Sequence, residues 1–270
     1  MIYKRYTGDC LQVIPDKLSA ESVDLVLTSP PYNTGKKDMY DLHDDAMSYS
    51  KYVAFLLLTL SACERVLKPG GHVIFNLCPM VGRGPPEPYA FSLVHYMRMK
   101  AFLGETDLQL MGGKPILWVK GEAGQNNIAI GSINNKPVFL DDYELLLVWR
   151  KGSSDRNGLK GGRVTPMFKQ LMVRSWAFTL SPESNQKKRK GHNAVWPDRL
   201  VEVLVENFTR QGEVVLDPFA GVGTTMRVCQ AMQRSCIAIE LSPNYSRHIR
   251  TTYLPNLLTE SKLTIQSEDE

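Results

Sequence analysis

Cysteine is scarce and unpatterned in this chain. Five residues, at positions 10, 63, 78, 229 and 236, are scattered over 270 with no Cys-x-x-Cys pair and no interleaved histidine. Neither a disulfide framework nor a structural zinc site is supported, no metal is expected, and reduced thiols in a cytoplasmic protein are the simplest reading. A long apolar run is missing too. The greasiest stretch, Val53 to Leu60, is far short of the ~20 residues needed to span a bilayer, and Met1-Ile2-Tyr3-Lys4-Arg5 leads into no apolar signal core. Net charge is small as well: 32 Lys and Arg against 28 Asp and Glu leave +4, which does not by itself imply a polyanionic partner. Collagen-like and strongly disordered classes are excluded by composition, and no internal repeat is visible. What remains is a soluble globular chain, 43% hydrophobic, long enough for one large α/β domain with a sizeable core.

Strand-like runs alternate with helical stretches, as in a mostly parallel sheet covered on both faces. Val23 to Leu27 is short, β-branched and apolar, and ends in Thr28-Ser29-Pro30-Pro31. Val53, Leu56, Leu57, Leu60, Cys63, Val66 and Leu67 follow helical spacing until Lys68-Pro69-Gly70-Gly71 stops them, and His72 to Leu77 reads as the next strand. Further strands are expected at 115–120, 143–150, 214–217 and 236–240. Helices are expected through Leu200, Leu204 and Phe208, with Pro197 in the first turn, and from Thr224 to Arg234. Residues 80–114 and 121–141, rich in Gly, Pro and Asn, read as long loops.

The charge is segregated. Residues 151–190 hold ten basic side chains and two acidic ones, a local +8, so the rest of the chain sums to −4. The weak overall balance hides a strongly basic surface element. The tail after Leu254 reads as frayed and solvated.

Two segments carry chemistry. In Val214-Val215-Leu216-Asp217-Pro218-Phe219-Ala220-Gly221-Val222-Gly223-Thr224-Thr225, a buried strand runs through a Gly-x-Gly turn into a helix N-terminus, which offers free N–H groups and positive dipole. A dinucleotide fingerprint would need a third glycine at 226, where Met stands, and a P-loop would need Gly-Lys-Ser/Thr. Glu240, 23 residues after Asp217, ends the next strand where a ribose diol would sit. A tight connection without ligand is the bland alternative, and the flanking carboxylates favour an adenosine-type ligand. The second segment, Thr28-Ser29-Pro30-Pro31-Tyr32-Asn33, also follows a buried strand, where α/β sheets place ligands. The Ser29 side-chain oxygen and the Pro30 carbonyl could accept both hydrogens of an exocyclic amine while Tyr32 stacks on its ring. Alone, Pro-Pro-Tyr would favour a rigid turn or a polyproline ligand.

Ser-Pro-Pro-Tyr together with Asp-Pro-Phe-Ala-Gly-Val-Gly-Thr-Thr resembles the S-adenosylmethionine-dependent DNA amino-methyltransferases. The order, catalytic tetrapeptide first and cofactor loop last, resembles their circularly permuted β class. The resemblance implies a doubly wound, mostly parallel seven-stranded sheet with one antiparallel strand. It divides the chain into a catalytic half (1–150), a basic target-recognition segment (151–190), a cofactor-binding half of the same domain (191–253) and a tail (254–270).

Carried over residue by residue, it assigns Ser29, Pro30, Pro31 and Tyr32 to catalysis. It assigns Asp9, Cys10, Asp217, Phe219, Ala220, Gly221, Gly223, Thr224, Thr225 and Glu240 to cofactor binding. His192 joins the cofactor set through a segment resembling the family's His-Pro-Ala motif, although Asn193 replaces the proline. Asp142-Tyr143-Glu144 with Trp149-Arg150-Lys151 resembles the last, antiparallel strand. The implied reaction is direct methyl transfer to an amine of a flipped-out base in double-stranded DNA, with no cysteine nucleophile; Cys10 and Cys78 are expected to be small buried residues. Lys187, Lys188, Arg189 and Lys190 are the expected phosphate contacts, with Arg163, Lys169, Arg174 and Trp176 near the base. Residues 35–50 are expected to form a loop closing beside it. Ser-Pro-Pro-Tyr accompanies cytosine N4 methylation more often in this family, and adenine N6 is the alternative. A restriction endonuclease counterpart and a homodimer come by analogy, and a non-catalytic DNA-binding subunit is the competing class.

Overall fold

Strands β1 (Tyr3–Thr7), β2 (Val23–Thr28) and β3 (Leu67–Leu77) are each followed by a turn containing Gly, Pro or Ser, and helices α1 (Cys10–Lys17) and α2 (Tyr49–Val66) connect them. The computed structural model describes residues 1–34, 42–79, 89–113, 115–119, 130–133, 136–139, 143–152, 177–179 and 196–254, with backbone alone for 113, 130–133, 136–139 and 177–179. The remaining elements are α3 (Tyr89–Phe102), β4 (Leu108–Leu110), β5 (Ile116–Val119), β6 (Ile130–Ile133), β7 (Lys136–Phe139), β8 (Tyr143–Lys151) and β9 (Ala177–Thr179). They end with α4 (Asp198–Phe208), β10 (Val214–Asp217), α5 (Thr224–Ala231), β11 (Ser235–Glu240) and α6 (Pro243–Tyr253).

The sheet order is β1-β11-β10-β2-β3-β8-β5-β9, with β4 also paired to β8; β6 and β7 make a separate hairpin. β8 is antiparallel to β3, β4 and β5, and every other pairing in the main sheet is parallel. The α/β class and the single reversed strand agree with expectation. The strand count does not: nine strands are present in the main sheet among the described residues, because β4 and β9 are three-residue edge additions too short to show periodicity.

Alternation along the strands splits the core in two. Val26, Val73 and Phe75 face α1, α2 and α3 through Ile14, Leu56, Leu60 and Leu93. Leu25, Leu27 and Ile74 face the other layer, built on Leu200, Leu204, Met226 and Ile249. The sheet is therefore covered on both sides. Other expectations need correction. The stretch 80–114 is not all loop: Ala90, Leu93 and Met97, at i, i+3 and i+7, bury one face of α3 against the first layer. Part of 121–141 forms the β6–β7 hairpin. Pro197 is the N-cap of α4 rather than a first-turn residue, and α5 stops at Ala231. Gly71 is demanded by packing, since a Cβ there would lie 2.9 Å from the Asp24 and Lys68 carbonyl oxygens. Among the described residues no helix is long and apolar enough to cross a membrane.

Candidate active site

β2 and β10 are immediate parallel neighbours, with Val215 opposite Leu25 and Leu216 opposite Val26. Their C-terminal ends therefore emerge side by side, and so do the Ser29 turn and the Gly-x-Gly turn. Both open onto one cavity of about 440 Å³. Its walls include Asp9, Cys10, Ser29, Pro31, Tyr32, Asp217, Phe219, Ala220, Gly221, Thr224, Thr225 and Glu240, predicted site residues from four stretches of sequence.

Asp217 ties the two turns together. It is 5% exposed; Oδ1 accepts from Thr28 Oγ1 at 2.7 Å and from the Phe219 amide at 3.2 Å, and Oδ2 accepts from Thr225 Oγ1 at 2.6 Å. Burial pushes its carboxyl above the ordinary value of 3.8, against the hydrogen bonds from Thr225, Thr28 and Phe219 that favour the charge. Glu240 braces the glycine loop from the next strand, accepting from the Gly221 amide at 2.7 Å and the Ser242 amide at 2.8 Å. Asp9 caps α1, its Oδ1 accepting from the Leu11 amide at 2.9 Å.

The Ser29 turn is supported from outside. Tyr52 of α2, buried, donates to the Pro31 carbonyl at 2.5 Å. Asn33 sits at φ +56°, a conformation asparagine tolerates. Its side chain donates to the Met47 carbonyl at 2.9 Å and accepts from the Met47 amide at 2.7 Å. That clasp fixes one end of the segment whose Leu42, His43, Asp44 and Met47 complete the wall. Tyr32 Oη accepts from Ser29 Oγ at 2.9 Å and donates to Glu144 Oε2 at 2.8 Å. Asn76 Nδ2 donates to Tyr32 Oη at 2.6 Å and also to Glu144 Oε2.

Two of the described predicted residues are not on the wall. Pro30 is buried in the turn. Gly223, at φ +84°, faces α6, where a Cβ would come within 2.9 Å of Tyr253 and 3.0 Å of Ile249. Its absent side chain makes room for a helix, not for a ligand. Cys10 is 3% exposed, and burial, reinforced by the Asp9 charge, pushes its thiol up to about 12; Cys78 is only half-buried, contrary to expectation. His192, Arg163, Lys169, Arg174, Trp176, Lys187, Lys188, Arg189 and Lys190, residues 35–41 of the expected loop, and the tail after Leu254 lie outside the described residues. Sequence reasoning missed Trp196 and Tyr245 on the wall and the Asn76–Glu144 pair behind Tyr32. A polar Asn76 closing an apolar strand was the available signal. Among the described residues no cluster of His, Cys, Asp or Glu is placed to hold a metal ion.

Several known proteins are similar to this chain in sequence or in fold. Type II methyltransferase M.HpaI of Haemophilus parainfluenzae is 28% identical over 236 residues, 84% of this chain and 67% of its own. Type II methyltransferase M.BglII, from Bacillus subtilis, is 25% identical over 90% of this chain and 66% of its own. The chain thus spans about two thirds of the length of these relatives. TTHA0409 of Thermus thermophilus, solved in complex with S-adenosyl-L-methionine, superposes with a TM-score of 0.68 at 22% identity over 99% of both chains. The PvuII DNA methyltransferase, cytosine-N4-specific, superposes at 0.67 with 21% identity, over 94% of this chain and 89% of its own. Residues 23–251 match the N6/N4 methyltransferase model described as DNA methylase; covering both turns and the sheet between them, that match shows that the chain belongs to the N6/N4 DNA methylase family.

Proposed function

We propose that this chain transfers a methyl group from S-adenosyl-L-methionine to the exocyclic N4 amine of a cytosine flipped out of double-stranded DNA. One observation carries the reading: the Ser29 turn and the Asp217 turn share one cavity and are bonded to each other through Thr28. The cavity suits such a donor. Asp9, Asp44, Asp217 and Glu240 line it, and no lysine or arginine is among the wall residues described, an electrostatic setting for a cationic ligand. S-adenosyl-L-methionine, when bound, supplies an electrophilic methyl carbon on a sulfonium. Asp217, Phe219, Ala220, Gly221, Thr224 and Thr225 would hold it, with Glu240 toward the ribose, and Asp9 and Cys10 toward the adenine. His192 is proposed for the same set.

Ser29 Oγ, on the cavity wall, accepts a hydrogen of the amine, and the Tyr32 ring stacks on the base. Burial pushes the Cys10 thiol up to about 12, and no cysteine nucleophile is proposed: the amine nitrogen would take the methyl carbon as that carbon's bond to sulfur breaks, and would release one proton. Extrusion of the base costs a few kcal/mol, offset by phosphate contacts proposed for Lys187, Lys188, Arg189 and Lys190, with Arg163 and Arg174 nearer the base. The catalytic turn preceding the cofactor turn supports the permuted, β-class order. The Type II relatives support a restriction endonuclease as functional counterpart.

Cytosine is preferred over adenine because Ser29 is neutral where the adenine pattern carries Asp, and because a cytosine-N4-specific enzyme shares the fold. Digestion of treated DNA to nucleosides, resolved by mass, tests this: N4-methylcytosine is expected, and N6-methyladenine alone would move the assignment to adenine. Tight DNA binding with no labelled methyl incorporated would favour a non-catalytic subunit instead.

A further inference from the structure

Behind Tyr32 lies a polar group that methyl transfer as described does not use. Glu144, on β8, is 4% exposed, and Asn76, at the end of β3, is fully buried. A carboxylate has no hydrogen to give, so the single phenolic hydrogen of Tyr32 goes to Glu144 Oε2, 2.8 Å away. The 2.9 Å bond between Ser29 and Tyr32 must then use the serine hydrogen. Asn76 reinforces this direction. Its amide turns Nδ2 toward both Tyr32 Oη and Glu144 Oε2, leaving Oδ1 buried without a partner among the described residues. Orphaning a buried acceptor is costly, so the carboxylate dictates the amide's orientation.

The consequence falls on Ser29. A serine hydroxyl is ordinarily both donor and acceptor and turns to suit its neighbour. Here its hydrogen is committed away from the cavity, and only lone pairs are left for a ligand. We propose that Glu144 is the positioning residue that makes the pocket select an amine over a carbonyl, acting through Tyr32 Oη on Ser29 Oγ. This deepens the proposed function and rests on it. An exocyclic amine brings a hydrogen to those lone pairs. A carbonyl at the same ring position, as in uracil or hypoxanthine, sets lone pair against lone pair and leaves both unpaired. Without Glu144, the two hydroxyl hydrogens are free to turn inward and meet a carbonyl.

The test reads binding rather than turnover. Sequencing the modified bases of plasmid DNA exposed to the unaltered protein first locates its target; no methylated base at all overturns the proposed function and this inference together. Two duplexes of that site then compete for the protein, one with the target amine and one with the matching carbonyl. Each target stands opposite an abasic position, so that pairing does not enter. The unaltered protein is expected to prefer the amine. Glu144→Ala should lower that preference about tenfold, and so should Tyr32→Phe, which removes the middle link. Glu144→Gln, whose Oε1 still accepts from Tyr32, should keep most of it. An unchanged preference in folded Glu144→Ala overturns the inference while leaving the methyltransferase intact. If that variant does not fold, an unchanged preference in Tyr32→Phe does the same. Loss in Glu144→Gln equal to that in Glu144→Ala also overturns it, since charge rather than acceptor geometry would then be at work.

Discussion

The turn after β2 and the turn after β10 leave neighbouring strands side by side, yet they are fixed by opposite means. The first is braced from outside, by Tyr52 on Pro31, by Met47 on Asn33 and by Glu144 on Tyr32. The second is braced by its own carboxylate: Asp217 gathers hydroxyls from Thr28 and Thr225 and the amide of Phe219. A turn supported by distant elements can present its own side chains to a ligand. A turn that consumes its charged side chain internally presents backbone and small residues instead. Changes at Asp217 should therefore register first in stability, and changes at Tyr32 first in turnover.

The sharpest break would come at Asp217→Ala, which strips the acceptor from three donors in a buried site. Leaving such groups unpaired costs on the order of 3–5 kcal/mol, measurable by urea unfolding, with cofactor affinity lost in calorimetry. A loss under about 1 kcal/mol would erase the distinction between the turns. Tyr32→Ala is next: stacking on a base is worth about 1–3 kcal/mol, so turnover should fall roughly 10- to 100-fold with cofactor affinity nearly unchanged. Equal losses in both would contradict its place in the first turn. Gly223→Ala should cost about 1–2 kcal/mol, through the left-handed backbone and the clash with Tyr253, and appear as a lower urea midpoint; no change would mean that α6 yields freely.

The smallest effect concerns pH. Burial raises the Asp217 carboxyl above 3.8 in the folded protein. As pH climbs from 3.8 to that raised value, the unfolded chain has released a proton that the folded one still holds. Stability therefore falls through this window and levels above it. Asp217→Asn removes the titration, and the unfolding free energy measured against pH should lose that descent. An identical curve would place the carboxyl's titration elsewhere.

Legibility in the sequence followed locality. Leu25 to Leu27 and Val214 to Leu216 are short apolar runs closed by turn residues, and a strand buried on both faces demands that pattern. α3 was obscured because Gly82, Gly84, Pro85, Pro86 and Pro88 precede it and set the tone of the whole stretch. α1 is only eight residues long and contains Pro15, which argues against a helix on propensity alone. Gly223 was legible as special, but for the wrong reason, since its tight neighbour is a helix 20 residues further on. Ser29 and Tyr32 could be picked out from their own turn, whereas the contact between Tyr32 and Glu144 spans 112 residues and leaves no periodic trace.

Among the described strands of the main sheet β8 alone runs against its neighbours, and this decides what it can deliver. Parallel strands bring their final residues to the cavity rim; β8 brings its opening ones. Had it pointed with the others, position 144 would stand at the far rim, roughly 20 Å off at about 3.3 Å per residue. Inverting one strand thus places an acidic group behind the aromatic ring without lengthening any loop, and recruits it from a part of the chain remote from either turn.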